Sequence, residues 1–260
     1  MNTISTLLEK IGSAEALDFG TIFNESIELF KKTWLQGFLL QLFTVIIMMP
    51  LIIVLYLPLI GIIIAKQESG YSDPEAFSGF FAGMSILYVL FIIVGIFVLG
   101  AISMALNAAF FRIVQKLDYN EPVTTSDFFY FVRGKHLSKI FVLMLASFGI
   151  AILAMLLCYL PVFYVMIPLS YFSLIYAFNP ELSVGEIVKA SFKLGNKKWL
   201  ITFGLMIVTS ILSQMVGFLL CGIGLLFTAA FVYHPLYLIY KNVIGFNVID
   251  AIEEIGALPE

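Results

Sequence analysis

Few residues in this chain are of a kind that does chemistry. Its 260 residues include two histidines, His136 and His234, and two cysteines, Cys158 and Cys221. Zinc hydrolysis would need histidines at helical spacing beside a glutamate, as in H-E-x-x-H, and acyl transfer a serine elbow, G-x-S-x-G. Neither pattern occurs, nor does a phosphate-cradling G-x-x-x-x-G-K-[ST]. Both cysteines lie inside apolar stretches and read as buried small hydrophobes, not as a disulfide or a metal pair. No cofactor and no enzymatic activity are expected.

An ionisable side chain inside an apolar segment is the usual mark of a proton or ion path. His234, in "FVYHPLYLIY", is the one such residue. Pro235 after it has no N–H and frees an upstream carbonyl, so the pair could line a ligand cavity. The plainer reading, which outweighs it, is a neutral histidine bonded to a neighbouring helix or close to the interface. Asn107, Gln214, Pro161 and Pro168 complete the candidate set, either as a cavity beside proline kinks or as polar groups that pack helices. Gln41, Ser147, Ser170, Thr209, Ser210, Ser213 and Thr228 fall in the same class. Interhelical hydrogen bonds of this kind are worth on the order of 1 kcal/mol.

The elements that position these residues follow from composition. The chain is 61% hydrophobic and only 12% charged, with a mean hydropathy of +1.04, which places it in a bilayer. Its net charge of -3, without a basic block, implies no nucleic-acid partner. The first twenty residues lack the basic start, apolar run and cleavage site of a secretory signal, so the first span is expected to serve as its own insertion signal. Within them, Leu7, Leu8 and Ile11 would form one short apolar face.

Spanning a bilayer takes about 20 apolar residues in helix. Trp34–Ala65 and Phe77–Phe111 are charge-free and longer than that, and Pro50 with Pro58 predicts a kink or break late in the first. Ile140–Asn179 and Trp199–Tyr240 are each about two spans long. Turn signals at Cys158–Pro161 and Cys221–Gly224 divide them into helical hairpins. The expected fold is an all-α membrane protein with six transmembrane helices, a single transmembrane domain over 1–260. Of the 14 lysines and arginines, 13 fall on one side of these spans and only Lys66 on the other. The positive-inside rule then puts both termini in the cytoplasm. It leaves outside the acidic loop "KQESGYSDPEAFSG" and two bare turns.

A repeat organises the spans. Leu17–Leu35 and Leu182–Leu200 align without a gap, matching at Leu17/Leu182, Gly20/Gly185, Ile22/Ile187, Ser26/Ser191, Leu29/Leu194, Lys32/Lys197, Trp34/Trp199 and Leu35/Leu200. Each reads as an amphipathic helix. Val184, Ile187, Val188, Phe192 and Leu194 lie on one face, and Glu186, Lys189, Lys193 and Lys197 on the other. Ser183 with Glu186 is a capping box, and Asp18 is the matching N-cap. A weaker middle copy opens at Val123, with Thr124 and Asp127 as its capping pair and aromatics around most of its helix. The units cover about 17–116, 123–180 and 182–246, each an amphipathic helix followed by a hairpin. Lys31, Lys32 and Trp34, like Lys197, Lys198 and Trp199, mark the junctions as interfacial elbows in the headgroup layer. The plainer alternative is that these segments merely extend the spans. "FNVIDAIEEIGALPE" reads as the start of a fourth elbow. Ala101, Ala105 and Ala109 form a small-residue stripe for close helix approach.

The recurring Asp/Ser-x-Gly-Thr/Glu-Ile at Asp18–Ile22 and Ser183–Ile187, with lysines just before a tryptophan and then a hairpin, resembles a broad bacterial family of uncharacterised six-helix membrane proteins. That family is related to the membrane domain fused to some glycerophosphodiester phosphodiesterases. The resemblance covers residues 17 to about 250. It implies the fold and the bacterial inner (cytoplasmic) membrane, and brings no catalytic residues. The functional expectation is a non-enzymatic integral membrane protein, a scaffold or accessory subunit acting through a protein partner among membrane lipids. The alternative is a permease or lipid-handling transporter with a cavity near the proline kinks of the later hairpins.

Overall fold

The structure is a computed structural model that describes residues 3–69, 86–157 and 160–246. Among the described residues it is all-helical. In chain order the α-helices are α1 (Ile4–Ser13), α2 (Phe19–Ser69), α3 (Ile86–Asp118), α4 (Gly134–Leu156), α5 (Leu160–Ser170), α6 (Phe172–Phe178), α7 (Val184–Lys197), α8 (Trp199–Leu219), α9 (Gly224–Thr228) and α10 (Tyr233–Val243). Two 3₁₀ segments, Thr125–Val132 and Ala229–Val232, complete the described elements. Residues 70–79 of the expected acidic loop and 247–260 of the expected fourth elbow lie outside the described residues.

Among the described residues five helical stretches are long and apolar enough to cross a membrane: α2, α3, α4, the α5–α6 run and α8. The sixth expected span is divided into α9, the second 3₁₀ segment and α10. Two local causes are visible. Ser213 and Thr228 bond each other's backbone, Ser213 Oγ donating to the Thr228 carbonyl at 2.8 Å and Thr228 Oγ1 to the Ser213 carbonyl at 3.0 Å. Pro235, at the start of α10, cannot donate to the carbonyl four residues back, so the upstream turn tightens.

Prolines act unequally. α2 runs through Pro50 and Pro58 over 51 residues, so the expected break does not occur. Pro161 sits harmlessly in the first turn of α5, where a missing N–H costs nothing. Pro168 lies inside α5, and the helix stops two residues later at Ser170 before restarting as α6.

The three copies of the repeat also differ. The first forms no separate elbow, because α2 passes from the amphipathic segment into the apolar one without interruption. The last does divide: α7 ends at Lys197, Lys198 takes a non-helical backbone (φ -118°, ψ 24°), and α8 begins at Trp199. The middle copy is a 3₁₀ segment. Its Thr124–Asp127 capping box is present, and Gly134 follows with a positive φ of 46° that redirects the chain into α4. Phe128 and Phe131 of this segment are buried.

The bends between helices follow backbone chemistry. After α8, Cys221 (φ 51°) and Gly222 (φ 89°) turn left-handed, and the Gly222 N–H closes on the Gly217 carbonyl at 2.7 Å. This places Cys221 exposed at a turn tip rather than buried. Cys158 lies outside the described residues.

Packing is concentrated at one end. On α2 the buried side chains run from Ile22 to Leu40, whereas Val45, Ile46, Met49, Ile52, Ile53 and Leu55 are exposed. On α3 the order is reversed along the chain, with Ile86–Val98 largely exposed and Ala101–Val114 buried. α4 buries Ile140 and Leu143 and, near its far end, exposes Leu153, Met155 and Leu156, while α5 exposes Leu160 and Phe163 before burying Ile167. The core therefore lies at the lysine-bearing end of the helices, and the far halves present apolar surface. The Ala101/Ala105/Ala109 stripe is spent inside this core, each alanine no more than 2% exposed.

Candidate functional site

His234 is fully buried where α10 meets α2 and α3. Its Nδ1 lies 3.2 Å from the carbonyls of both Ala230 and Phe231, which can only accept, so Nδ1 carries the proton. Nε2 is 2.5 Å from Thr33 Oγ1 on α2 and accepts from that hydroxyl. The Phe231 carbonyl is the one that Pro235, four residues on, leaves without its helical donor. His234 fills that vacancy, so the freed carbonyl is bonded within the chain instead of facing a ligand. Phe30 and Phe110 close the imidazole edge-on, with centroids at 5.5 and 6.1 Å.

The other candidates do not join His234 in one cavity. Asn107 faces the Tyr233 hydroxyl, one residue away from it. Pro235 is buried beside it. Pro168 packs instead against Gly195 of α7, so closely that a Cβ at Gly195 would stand 2.8 Å from the proline Cα. Gln214 is exposed on the outer surface of α8. The set separates into a histidine packing site, a proline–glycine contact and an outward-facing amide.

The elbow residues divide as well. Lys31 pairs with Glu28 at 2.6 Å on the exposed face of α2, Lys32 is exposed, and Trp34 is 46% exposed beside Phe227. In the last copy Lys197 donates to the Gly12 carbonyl at 3.1 Å, and the Lys198 ammonium donates to that of Glu15. Together they fasten the segment between α1 and α2. Lys198 is only 5% exposed, and burial followed by the charge of Lys197 pushes its pKa below the usual lysine range. Trp199 donates from Nε1 to the Tyr164 carbonyl at 3.1 Å and stacks on Phe203.

The polar groups that gather in space were not singled out by sequence. Asp118, the last residue of α3, accepts from the Tyr237 hydroxyl at 2.8 Å and from Lys241 at 2.6 Å, both on α10. Asn179 donates to the Tyr240 hydroxyl at 2.8 Å. Lys116 reaches Asp127 at 2.7 Å. Burial works to raise the Asp127 pKa, but the bonds from Lys116 and Thr124 outweigh it and hold the carboxyl below its usual range. The only hint in the sequence was that Asp118, Tyr237 and Lys241 all sit near predicted helix ends. Spacing could not pair residues more than a hundred positions apart.

Beside Asp118 an open cavity of about 560 Å³ lies between α2, α3 and α10. Glu25, Glu28 and Lys32 line it from α2, Lys241 and Asn242 from α10. It offers charges of both signs and amides, which suits a zwitterionic or hydrogen-bonding group. Among the described residues, no cluster of three or more His, Cys, Asp or Glu side chains could hold a metal ion. Compared with family models, curated proteins and solved structures, the chain matches none.

Proposed function

We propose that this is a multi-pass protein of the bacterial cytoplasmic membrane, acting without chemistry of its own as a scaffold or accessory subunit for a partner protein. In this reading α9, its 3₁₀ continuation and α10 together make the sixth span, the spans form three hairpins, and both termini are cytoplasmic. The one-sided distribution of lysine and arginine supports the orientation. The resemblance to the six-helix bacterial family supports the location.

The carrying observation is the concentration of packing at the lysine-bearing end. There the head of α2 and the first 3₁₀ segment pack on α3, α10 packs on α2 and α3, and α7 packs on α1, α5 and α6. Such a knitted end, with apolar helix halves projecting from it, suits a body that holds a partner at the membrane surface. Native purification at endogenous level, with mass spectrometry of protein and lipid, tests this. A stoichiometric protein partner is the expected result. A lone chain carrying an enriched small molecule would overturn it.

The cavity beside Asp118 favours a second reading, a permease or lipid-handling protein, with its entry there and not at Pro161 and Pro168. Flux or small-molecule binding that is lost on Asp118→Asn would establish it.

A further inference from the structure

α7 repeats the pattern of the α2 head, yet its exposed face carries a different charge. Where the first copy has Asn24, Glu28 and Lys32, the last has Lys189, Lys193 and Lys197, four residues apart and all exposed. On α2 the two glutamates balance Lys31 and Lys32, and Glu28 is paired outright. On α7 the one acidic residue is Glu186. Its carboxylate is turned back onto Ser183, accepting from both the backbone N–H and the hydroxyl at 2.7 Å. Those Ser183 bonds hold the Glu186 pKa down, and the charges of Lys139 of α4 and of Lys189 of α7 itself act on this carboxylate in the same direction. Among the described residues none of the three α7 lysines forms an ion pair with a carboxylate: Lys189 acts on Glu186 only through space, and Lys197 donates to the Gly12 carbonyl.

The far side of α7 is closed. Ile187, Ala190, Ser191, Leu194 and Gly195 are buried against its neighbours. Three exposed ammonium groups, outnumbering the single Glu186 carboxylate, therefore stand in a row on a helix that cannot roll away. Directly beyond Lys197 the surface turns apolar, with Trp199 half-buried and Leu200 78% exposed at the start of α8. A lysine row bordering the apolar start of a membrane-length helix lies at headgroup depth, which favours lipid over an acidic protein segment.

We propose that the Lys189/Lys193/Lys197 face of α7 is a binding surface for anionic phospholipid headgroups. It selects acidic lipid in the leaflet from which α8 rises, whereas the charge-balanced face of α2 does not. The inference rests on the reading that α8 crosses the membrane from this end. Basic side chains at an anionic surface each strengthen binding about fivefold, and the effect fades over a Debye length.

The chain has two tryptophans, one in each copy, and this permits a direct test. Full-length Trp34→Phe protein, with Trp199 as sole reporter, is reconstituted in vesicles containing brominated phosphatidylglycerol or brominated phosphatidylcholine. The expected result is quenching by both lipids, with apparent association roughly tenfold or more in favour of phosphatidylglycerol at low salt. That preference falls towards unity in K189Q/K193Q/K197Q and, without any substitution, in high salt. The Trp199→Phe protein, reporting from Trp34, shows the weaker preference. Equal quenching by both lipids at Trp199 overturns the proposal. Absence of quenching by either overturns the membrane placement beneath it. A lipid preference unchanged by the triple substitution, with a co-purified protein lost instead, overturns lipid selection in favour of a protein-docking face.

Discussion

At the position where the first copy of the repeat has Thr33, the last has Lys198, and the helix that runs through the one stops at the other. Eight of the nineteen aligned residues are identical, and the buried positions correspond: Ile22 with Ile187, Ser26 with Ser191, Leu29 with Leu194. The differences lie in what each copy packs against. Phe30 of the first copy reaches across to Phe231 and His234, while its counterpart, Gly195, lets Pro168 close against the helix backbone. Thr33 turns its hydroxyl inward to His234, and Lys198 extends to the backbone of Glu15. The shared pattern encodes a one-sided helix. The partners decide whether that helix continues.

Gly195→Leu should break the last copy outright. A side chain there meets the backbone of Pro168, which cannot swing aside, and a loss of about 3 kcal/mol or more is expected in detergent unfolding. Gly185→Ala, on the same helix but facing open space, should be neutral or slightly stabilising, because alanine favours the helix. Similar losses for both would mean that helix propensity, not the α5–α7 contact, governs this copy.

The first copy depends instead on His234. His234→Ala empties a closed aromatic pocket and removes the imidazole bonds to Thr33 and to the Ala230 and Phe231 carbonyls, with an expected cost of about 2–4 kcal/mol. Thr33→Val should cost about 1 kcal/mol. A double-mutant cycle measured in the same micelles should show coupling between them. Additive losses would separate the two residues.

The middle copy offers a pH test. Because the folded Asp127 carboxyl sits below its ordinary pKa, its contribution is complete above about pH 4 and disappears as pH falls through the depressed folded value. Asp127→Asn should cost about 1–2 kcal/mol at neutral pH through the lost cap and ion pair, and should remove that acid sensitivity. Thermal unfolding against pH reads both.

Lys198→Thr should have a small effect, about 1 kcal/mol. It places the first copy's junction residue in the last copy and releases the Glu15 carbonyl. Faster amide exchange between Gly12 and Leu17, with α1 still helical, is the expected signature. Unchanged exchange would show that Lys197 alone fastens that segment.

Much of the frame was legible in one dimension. Long charge-free runs, capping pairs such as Ser183 with Glu186, and the left-handed turn signal at Cys221–Gly222 depend on neighbours within a few residues. The candidate site was not. For His234 the sequence left a cavity group and a histidine bonded to a neighbouring helix both open, because Thr33 becomes its partner only when α2 and α10 meet. Gln214 looked equivalent to Ser213 in composition, yet the helix turns one outward and the other onto Thr228.

By itself, then, the sequence determined which segments are helical and apolar, where lysine and arginine collect, and that one amphipathic pattern recurs, since hydropathy, capping and periodicity act over one or two helical turns. Tertiary structure alone decided that α2 runs on while α7 stops, that His234 is enclosed, and that Asp118 meets Tyr237 and Lys241. Those outcomes are set by packing between side chains as much as 201 positions apart, as at Thr33 and His234, where the chain carries no local record of the contact.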